Sequence, residues 1–149
     1  MSAKITTIIT TYYRPDLLAR AMRSVQLQTF GEIECIVFAD HCPAARKVYE
    51  KYFSDDARFI FVDNPEPWVK NVGAIGHNYG IDNASSEIIT YLCDDNIYLP
   101  NHLDVVYNNI SNDIGLVKTQ AFHLSCRSGD GSVKSIVDRD FYSDFHAKS

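Results

Sequence analysis

Four short runs of branched aliphatic and aromatic residues recur within the first hundred positions, and the stretches between them carry helix signals. The runs are 4–10 (KITTIIT), 33–39 (IECIVFA), 58–62 (RFIFV) and 87–92 (EIITYL). Their length and β-branched content predict strands. Segment 33–39 is nearly all apolar, as expected of a strand covered on both faces. After the first run, Arg14-Pro15-Asp16 opens a helix. Proline suits its first position, and Asp16 meets the positive end of the helix dipole. Leu18, Ala21, Met22 and Val25 then form one apolar face, and Gly31 reads as the stop signal. Further helices are expected over 43–52, 73–83 and 100–110, the last with Pro100 near its start. Segment 63–70, with two prolines, reads as a loop. An extended stretch over 114–124, a tight turn SGDGS at 128–132 and a returning strand VKSIV complete the pattern. Strands alternating with helices predict an α/β fold: βαβ units, a mostly parallel sheet and helices on both faces.

Composition narrows the function classes. The chain has 149 residues, 46% hydrophobic and 22% charged, which fits one folded domain over 1–149 and excludes a disordered chain. Fourteen basic against 19 acidic residues give a net charge of -5, which argues against a nucleic-acid binder. A local anion site remains open, because a metal ion can supply positive charge. No apolar run reaches the roughly 18–20 residues of a membrane helix, and the start lacks a secretory signal. Cys35, Cys42, Cys93 and Cys126 form no C-x-x-C pair, so reduced thiols and a cytoplasmic location are expected. The P-loop, G-x-G-x-x-G, G-x-S-x-G and H-E-x-x-H motifs are missing.

In a parallel α/β sheet, ligands bind at the carboxyl ends of strands. Those ends carry Thr10, Thr11 and Tyr12, then Asp40 and His41, then Asp94, Asp95 and Asn96. Hydroxyls, an aromatic ring and several carboxylates on one rim suit a base, a ribose and a metal-bound diphosphate. Asp and Asn are also ordinary turn residues, and Tyr12 and Tyr13 could be packing aromatics. Adjacent acids repel, however, and no turn requires two. Gly73, Gly76 and Gly80 have two readings: close helix packing, or a helix N-terminus facing an anion. His102 and His123 lack a partner pattern and read as structural or exposed.

Two longer strings resemble family 2 glycosyltransferases of the GT-A fold, over about residues 4–105. IITTYYRPDLLARAMRSVQLQTFGEIECIVFADHCP carries Thr11, Tyr12, Arg14, Ser24, Val25, Gln28, Thr29 and Asp40 at that family's motif positions. NVGAIGHNYGIDNASSEIITYLCDDNIYLPNHLD is similar to its second block, with Asn-x-Gly, a following Asn-x-Gly and a strand entering an Asp-x-Asp metal motif. The resemblance implies transfer of a sugar, of the hexosyl type, from a UDP- or GDP-linked donor to an acceptor hydroxyl. It implies that Thr11, Tyr12 and Asp40 hold base and ribose, and that His77 and Asn78 lie near the diphosphate. Arg14, Asn71, Gly73 and Asp94 fall in the same motifs and are counted with the nucleotide site. Asp95 is implied as the ligand of Mn2+ or Mg2+.

Three departures qualify this picture. Cys93 stands where the first acid of Asp-x-Asp is expected, and a thiolate is a poor ligand for Mg2+. One extended frame pairs Cys93 with Asp95, and the other pairs Asp94 with Asn96. His77 replaces an arginine, which weakens help to a diphosphate. The acceptor half and its catalytic base are not evident, so the domain reads as short or truncated on that side. Asp138, Asp140 and Asp144 sit in an exposed tail, 138–149, without a motif. A non-catalytic nucleotide-sugar-binding module and a pure interaction domain are therefore alternatives to an enzyme.

Overall fold

The computed structural model describes residues 3–64 and 73–119 with their side chains, and the backbone of 72, 121–126 and 133–139. The chain divides into two compact units, residues 1–108 and 109–149. The first unit alternates strand and helix: β1 (Ile5–Thr11), α1 (Pro15–Gln26), β2 (Ile33–Asp40), α2 (Pro43–Tyr52), β3 (Phe59–Asn64), α3 (Val72–Asn83), β4 (Ile88–Cys93) and α4 (His102–Asn109). The four strands form one parallel sheet in the order β3-β2-β1-β4. The chain runs outward from β1 to β3 and then returns to the other side of β1. The topological switch therefore lies between β1 and β4.

Side-chain alternation divides the sheet into two faces. Ile5, Ile9, Ile33, Cys35, Val37, Ala39 and Leu92 join Leu18, Met22 and Val25 of α1 and Leu103 of α4 in one buried cluster. Ile8, Thr10 and Phe38 point to the opposite face, beneath α3. There a Cβ on Gly76 would lie 2.7 Å from Thr10 and 2.8 Å from Phe38, and one on Gly80 would lie 2.6 Å from Ile8. Those two glycines thus let α3 press onto the sheet, the packing reading of the motif. A Cβ on Gly73, at the start of α3, would meet nothing within 4 Å among the described residues.

Four boundaries differ from expectation. Strand β3 runs on through Asp63 and Asn64, expected as loop, because they pair with Ala39 and Asp40 of β2. Helix α1 ends at Gln26, with the Leu27 N–H on the Arg23 carbonyl and the Gln28 side chain on the Ser24 carbonyl at 3.0 Å. Gly31 stands beyond this end and plays no part in it. Pro100 does not begin α4. It lies in a turn closed by the His102 N–H on the Leu99 carbonyl, and α4 starts at His102. In the second unit, the extended stretch 114–124 contracts to β5 (Ala121–Cys126), preceded by a tight Ser111–Ile114 turn. Strand β5 pairs antiparallel with β6 (Val133–Arg139), the expected returning strand. The segments 65–71 and 127–132, which hold Asn71 and the SGDGS turn, lie outside the described residues. Among the described residues, no helix is long and apolar enough to cross a membrane.

Candidate active site at the carboxyl rim

Because all four strands run in one direction, their carboxyl ends share one rim. Thr11 faces Ala39 in the register, Asp40 faces Asn64, and Asp94 follows directly on Cys93, the partner of Thr10. The rim thus gathers Thr11, Asp40, Asn64, Asp94 and Asp95 from positions up to 84 apart in the chain.

Two buried aspartates anchor the rim in different ways. Asp94 is fully buried and sits at the topological switch. Its Oδ2 accepts a hydrogen bond from Thr11 Oγ1 at 2.8 Å. Its Oδ1 has no aligned hydrogen bond and is held by charge, 2.6 Å from Arg14 Nη2. The same guanidinium donates through Nη1 to Asp95 Oδ2 at 2.9 Å, and Asp95 is exposed. Arg14 directly precedes the proline-started α1, and its side chain reaches the two acids that follow β4. Asp40 is 1% exposed. Its Oδ1 accepts from Asn64 Nδ2 at 2.8 Å, but its Oδ2 is buried without a hydrogen-bond partner among the described residues.

The turns beyond β1 and β2 are both unusual. Tyr13 has φ 52° and His41 has φ 46°. A left-handed conformation costs a non-glycine residue about 1–3 kcal/mol and clusters at functional sites. Tyr12 and Tyr13 are not core aromatics. They are exposed and meet edge to face, with ring centroids 4.5 Å apart.

The helix residues of the second block lie on the α3 face. His77 rests against the Tyr91 ring of β4 at 4.9 Å, and Asn78 is exposed. Neither has a described contact with Thr11, Asp40 or Asp94. Cys93 is exposed as a residue, yet partial burial of its thiol, reinforced by the carboxylates of Asp95 and Asp94, raises its pKa. A protonated thiol is a poor ligand for a hard cation. Asp138 belongs to β6, whereas Asp140 and Asp144 lie outside the described residues.

Three residues had a motif position but no assigned role. Ser24, Gln28 and Thr29 clamp the segment that follows the acids. Ser24 Oγ accepts from the Tyr98 N–H at 3.0 Å, and the Thr29 N–H donates to the Pro100 carbonyl at 2.8 Å. Gln28 Nε2 donates to the Leu99 carbonyl at 2.7 Å, while its Oε1 accepts from the Leu103 N–H at 2.9 Å, satisfying a first-turn donor of α4. The available signal was polar residues at the end of an otherwise amphipathic helix. An open groove of about 450 Å3 beside this clamp, lined by Arg20, Arg23, Leu27 and Ile97 among others, shares no residue with the rim.

A divalent ion fits this donor set in one way only. Among the described residues, no group of three His, Cys, Asp or Glu side chains could hold a metal. Both oxygens of Asp94 are engaged, and Asp95 keeps one oxygen facing solvent. Mg2+ and Mn2+ accept a single protein carboxylate when substrate phosphates and water complete the shell.

The chain is 33% identical over 105 residues to the GalNAc(5)-diNAcBac-PP-undecaprenol beta-1,3-glucosyltransferase of Campylobacter jejuni subsp. jejuni, covering 69% of this chain and 33% of that protein. It is 29% identical over 115 residues to protein CgeD of Bacillus subtilis, covering 74% and 27%. It spans about a third of the length of these curated relatives. S. aureus TarS 1-349 superposes with a TM-score of 0.62 at 17% identity, over 70% of this chain and 31% of that one. The mannosyltransferase PcManGT of Pyrobaculum calidifontis, solved with GDP-Man and Mn2+, superposes with 0.56 at 16% identity, over 66% and 29%. These likenesses carry the GT-A fold. Residues 6–135 match the description "Glycosyl transferase family 2", and the chain belongs to that family.

Proposed function

We propose that this chain is the donor-binding part of a glycosyltransferase that takes a UDP- or GDP-linked sugar together with Mn2+ or Mg2+ and passes the sugar to an acceptor hydroxyl. The observation that carries this reading is the Oδ2 of Asp40, buried without a hydrogen-bond partner among the described residues. A carboxylate oxygen left bare in the interior is costly, and a ring N–H of a nucleotide base would satisfy it. Asn64 holds the other oxygen and so fixes the carboxylate plane. Thr11, Tyr12 and Arg14 then line the ribose and phosphate side, with the Tyr12 ring exposed beside that of Tyr13. Gly73, His77, Asn78 and Asn71 belong to the diphosphate side of this reading. Asp95 would hold the divalent ion, with Asp94 anchoring Thr11 and Arg14 behind it. When bound, the ion stabilises the charge of the departing nucleoside diphosphate as a Lewis acid. The complexes of TarS with UDP and of PcManGT with GDP-Man and Mn2+ support this ligand class.

Titration with UDP and GDP, with and without Mn2+, tests the reading. Metal-enhanced binding of one of them is expected, and no binding of either would refute it. A non-catalytic binding module is favoured by the thiol of Cys93 in place of an acid, by His77 in place of an arginine and by the lack of an evident catalytic base. It predicts affinity without donor hydrolysis or sugar transfer, which a radiolabelled-donor assay reads directly.

A further inference from the structure

We infer that Arg14 is the resident counter-cation of the acidic pair, so that a divalent ion enters with the donor's diphosphate rather than alone. This inference rests on the proposed metal role of Asp95. Arg14 reaches both acids at once, at 2.6 Å from Asp94 Oδ1 and 2.9 Å from Asp95 Oδ2. No other cation among the described residues pairs with either acid. Two carboxylates and one guanidinium leave a local charge of -1. A divalent ion arriving alone meets that small charge, one open Asp95 oxygen and a guanidinium at contact distance. Like-charge repulsion and a sparse ligand set both oppose it.

The balance changes when a diphosphate arrives with the ion. The pair is near neutral, the phosphate oxygens complete the ion's shell, and they accept hydrogen bonds from a guanidinium whose planar fork suits them. Arg14 is half-exposed, so its side chain can turn from Asp95 toward phosphate. Asp94, fully buried and held by Thr11, stays as the fixed anchor. Arg14 is thus a positioning residue that couples metal uptake to nucleotide uptake.

Mn2+ electron paramagnetic resonance, corrected for the metal–nucleotide complex in solution, tests this on wild type, Arg14→Gln and Arg14→Lys. Arg14→Gln should bind Mn2+ alone at least about tenfold more tightly than wild type, while Arg14→Lys stays close to wild type. In wild type, UDP or GDP should raise Mn2+ affinity at least about tenfold, and by a much smaller factor in Arg14→Gln. Equal Mn2+ affinities in wild type and Arg14→Gln, within about twofold, overturn the inference and leave the metal site standing. The wild-type arm needs no variant: a nucleotide effect below about twofold also overturns it. Absence of Mn2+ uptake by any of the proteins, with or without nucleotide, removes the proposed metal site and this inference with it.

Discussion

The two buried aspartates of the rim sit at equivalent ends of parallel strands, yet only one is complete. Asp94 has both oxygens engaged, by Thr11 and Arg14. Asp40 has one oxygen on Asn64 and one without a hydrogen-bond partner among the described residues. A residue whose two oxygens are both engaged within the protein serves the fold first. A residue with a buried acceptor left over is held for something outside the chain. The difference separates an anchor from a recognition group, although sequence alone makes them look alike.

The largest effect expected from breaking this comparison is on stability at Asp94. Asp94→Ala strips the partner from the buried Thr11 hydroxyl and releases Arg14 from its deeper contact. A loss of about 2–3 kcal/mol in unfolding free energy is expected, the half-exposed guanidinium contributing less than the buried hydroxyl. Urea unfolding measures it. A change under about 0.5 kcal/mol, the usual size for an inert surface substitution, would mean that Asp94 is not an anchor.

Asp40→Asn inverts that outcome. The amide keeps an oxygen for Asn64 and removes a buried charge, so unfolding stability should hold or rise. The position facing a base N–H becomes a donor instead of an acceptor. Loss of one hydrogen bond to a charged group, about 1.5–3 kcal/mol, predicts roughly 10–100-fold weaker nucleotide binding. Calorimetric titration with the preferred nucleotide reads the change. Unaltered affinity together with lower stability would make Asp40 a second anchor and erase the contrast.

The ease of reading this chain from sequence follows from where its determinants lie. Strand β2 was legible because burial on both faces leaves an almost continuous apolar run, and β1 because β-branched residues fill it. Their last residues, Thr11 and Asp40, were legible only as strand-end chemistry, since polar residues there still join the ladder. Asn64 was read as loop because its partner, Asp40, is chosen by strand register and not by local spacing. The stop signal of α1 was sought at Gly31, shortly after the helix, whereas the capping role falls to Gln28, whose other contacts are 71 and 75 residues away. Arg14 was visible as a helix start and a motif position. Its hold on Asp94 and Asp95 is a tertiary contact that no local pattern encodes.

Gly76 connects the two halves from below, because it packs against Thr10 of β1 and Phe38 of β2. Gly76→Ala forces a methyl to 2.7–2.8 Å from both, and the buried Phe38 ring has little room to yield. Overpacking of this kind costs about 1–2 kcal/mol. Gly73→Ala, in open space, should be neutral or slightly stabilising through helix propensity. Thermal unfolding of both variants separates them. Equal melting temperatures would show that α3 does not bear on the sheet at Gly76.

The smallest expected effect concerns acid and falls on the Asp94 half alone. His102 opens α4 and stacks on Tyr98 with ring centroids 3.8 Å apart and planes 11° from parallel. Burial lowers the His102 pKa from its ordinary 6.5 and pushes the Tyr98 hydroxyl up to about 12. With the folded-state pKa of His102 below the unfolded one, the unfolded chain takes up the proton first. The stability tied to neutral His102 is therefore fully present above about pH 6.5 and is lost as pH falls through the folded value. His102→Phe keeps a stacking ring and removes the titration. Between pH 7 and pH 5, the wild-type melting temperature should fall further than that of the variant, with the difference developing below about pH 6.5. Parallel curves for the two proteins across that range would show that the segment behind Asp94 carries no proton-linked component.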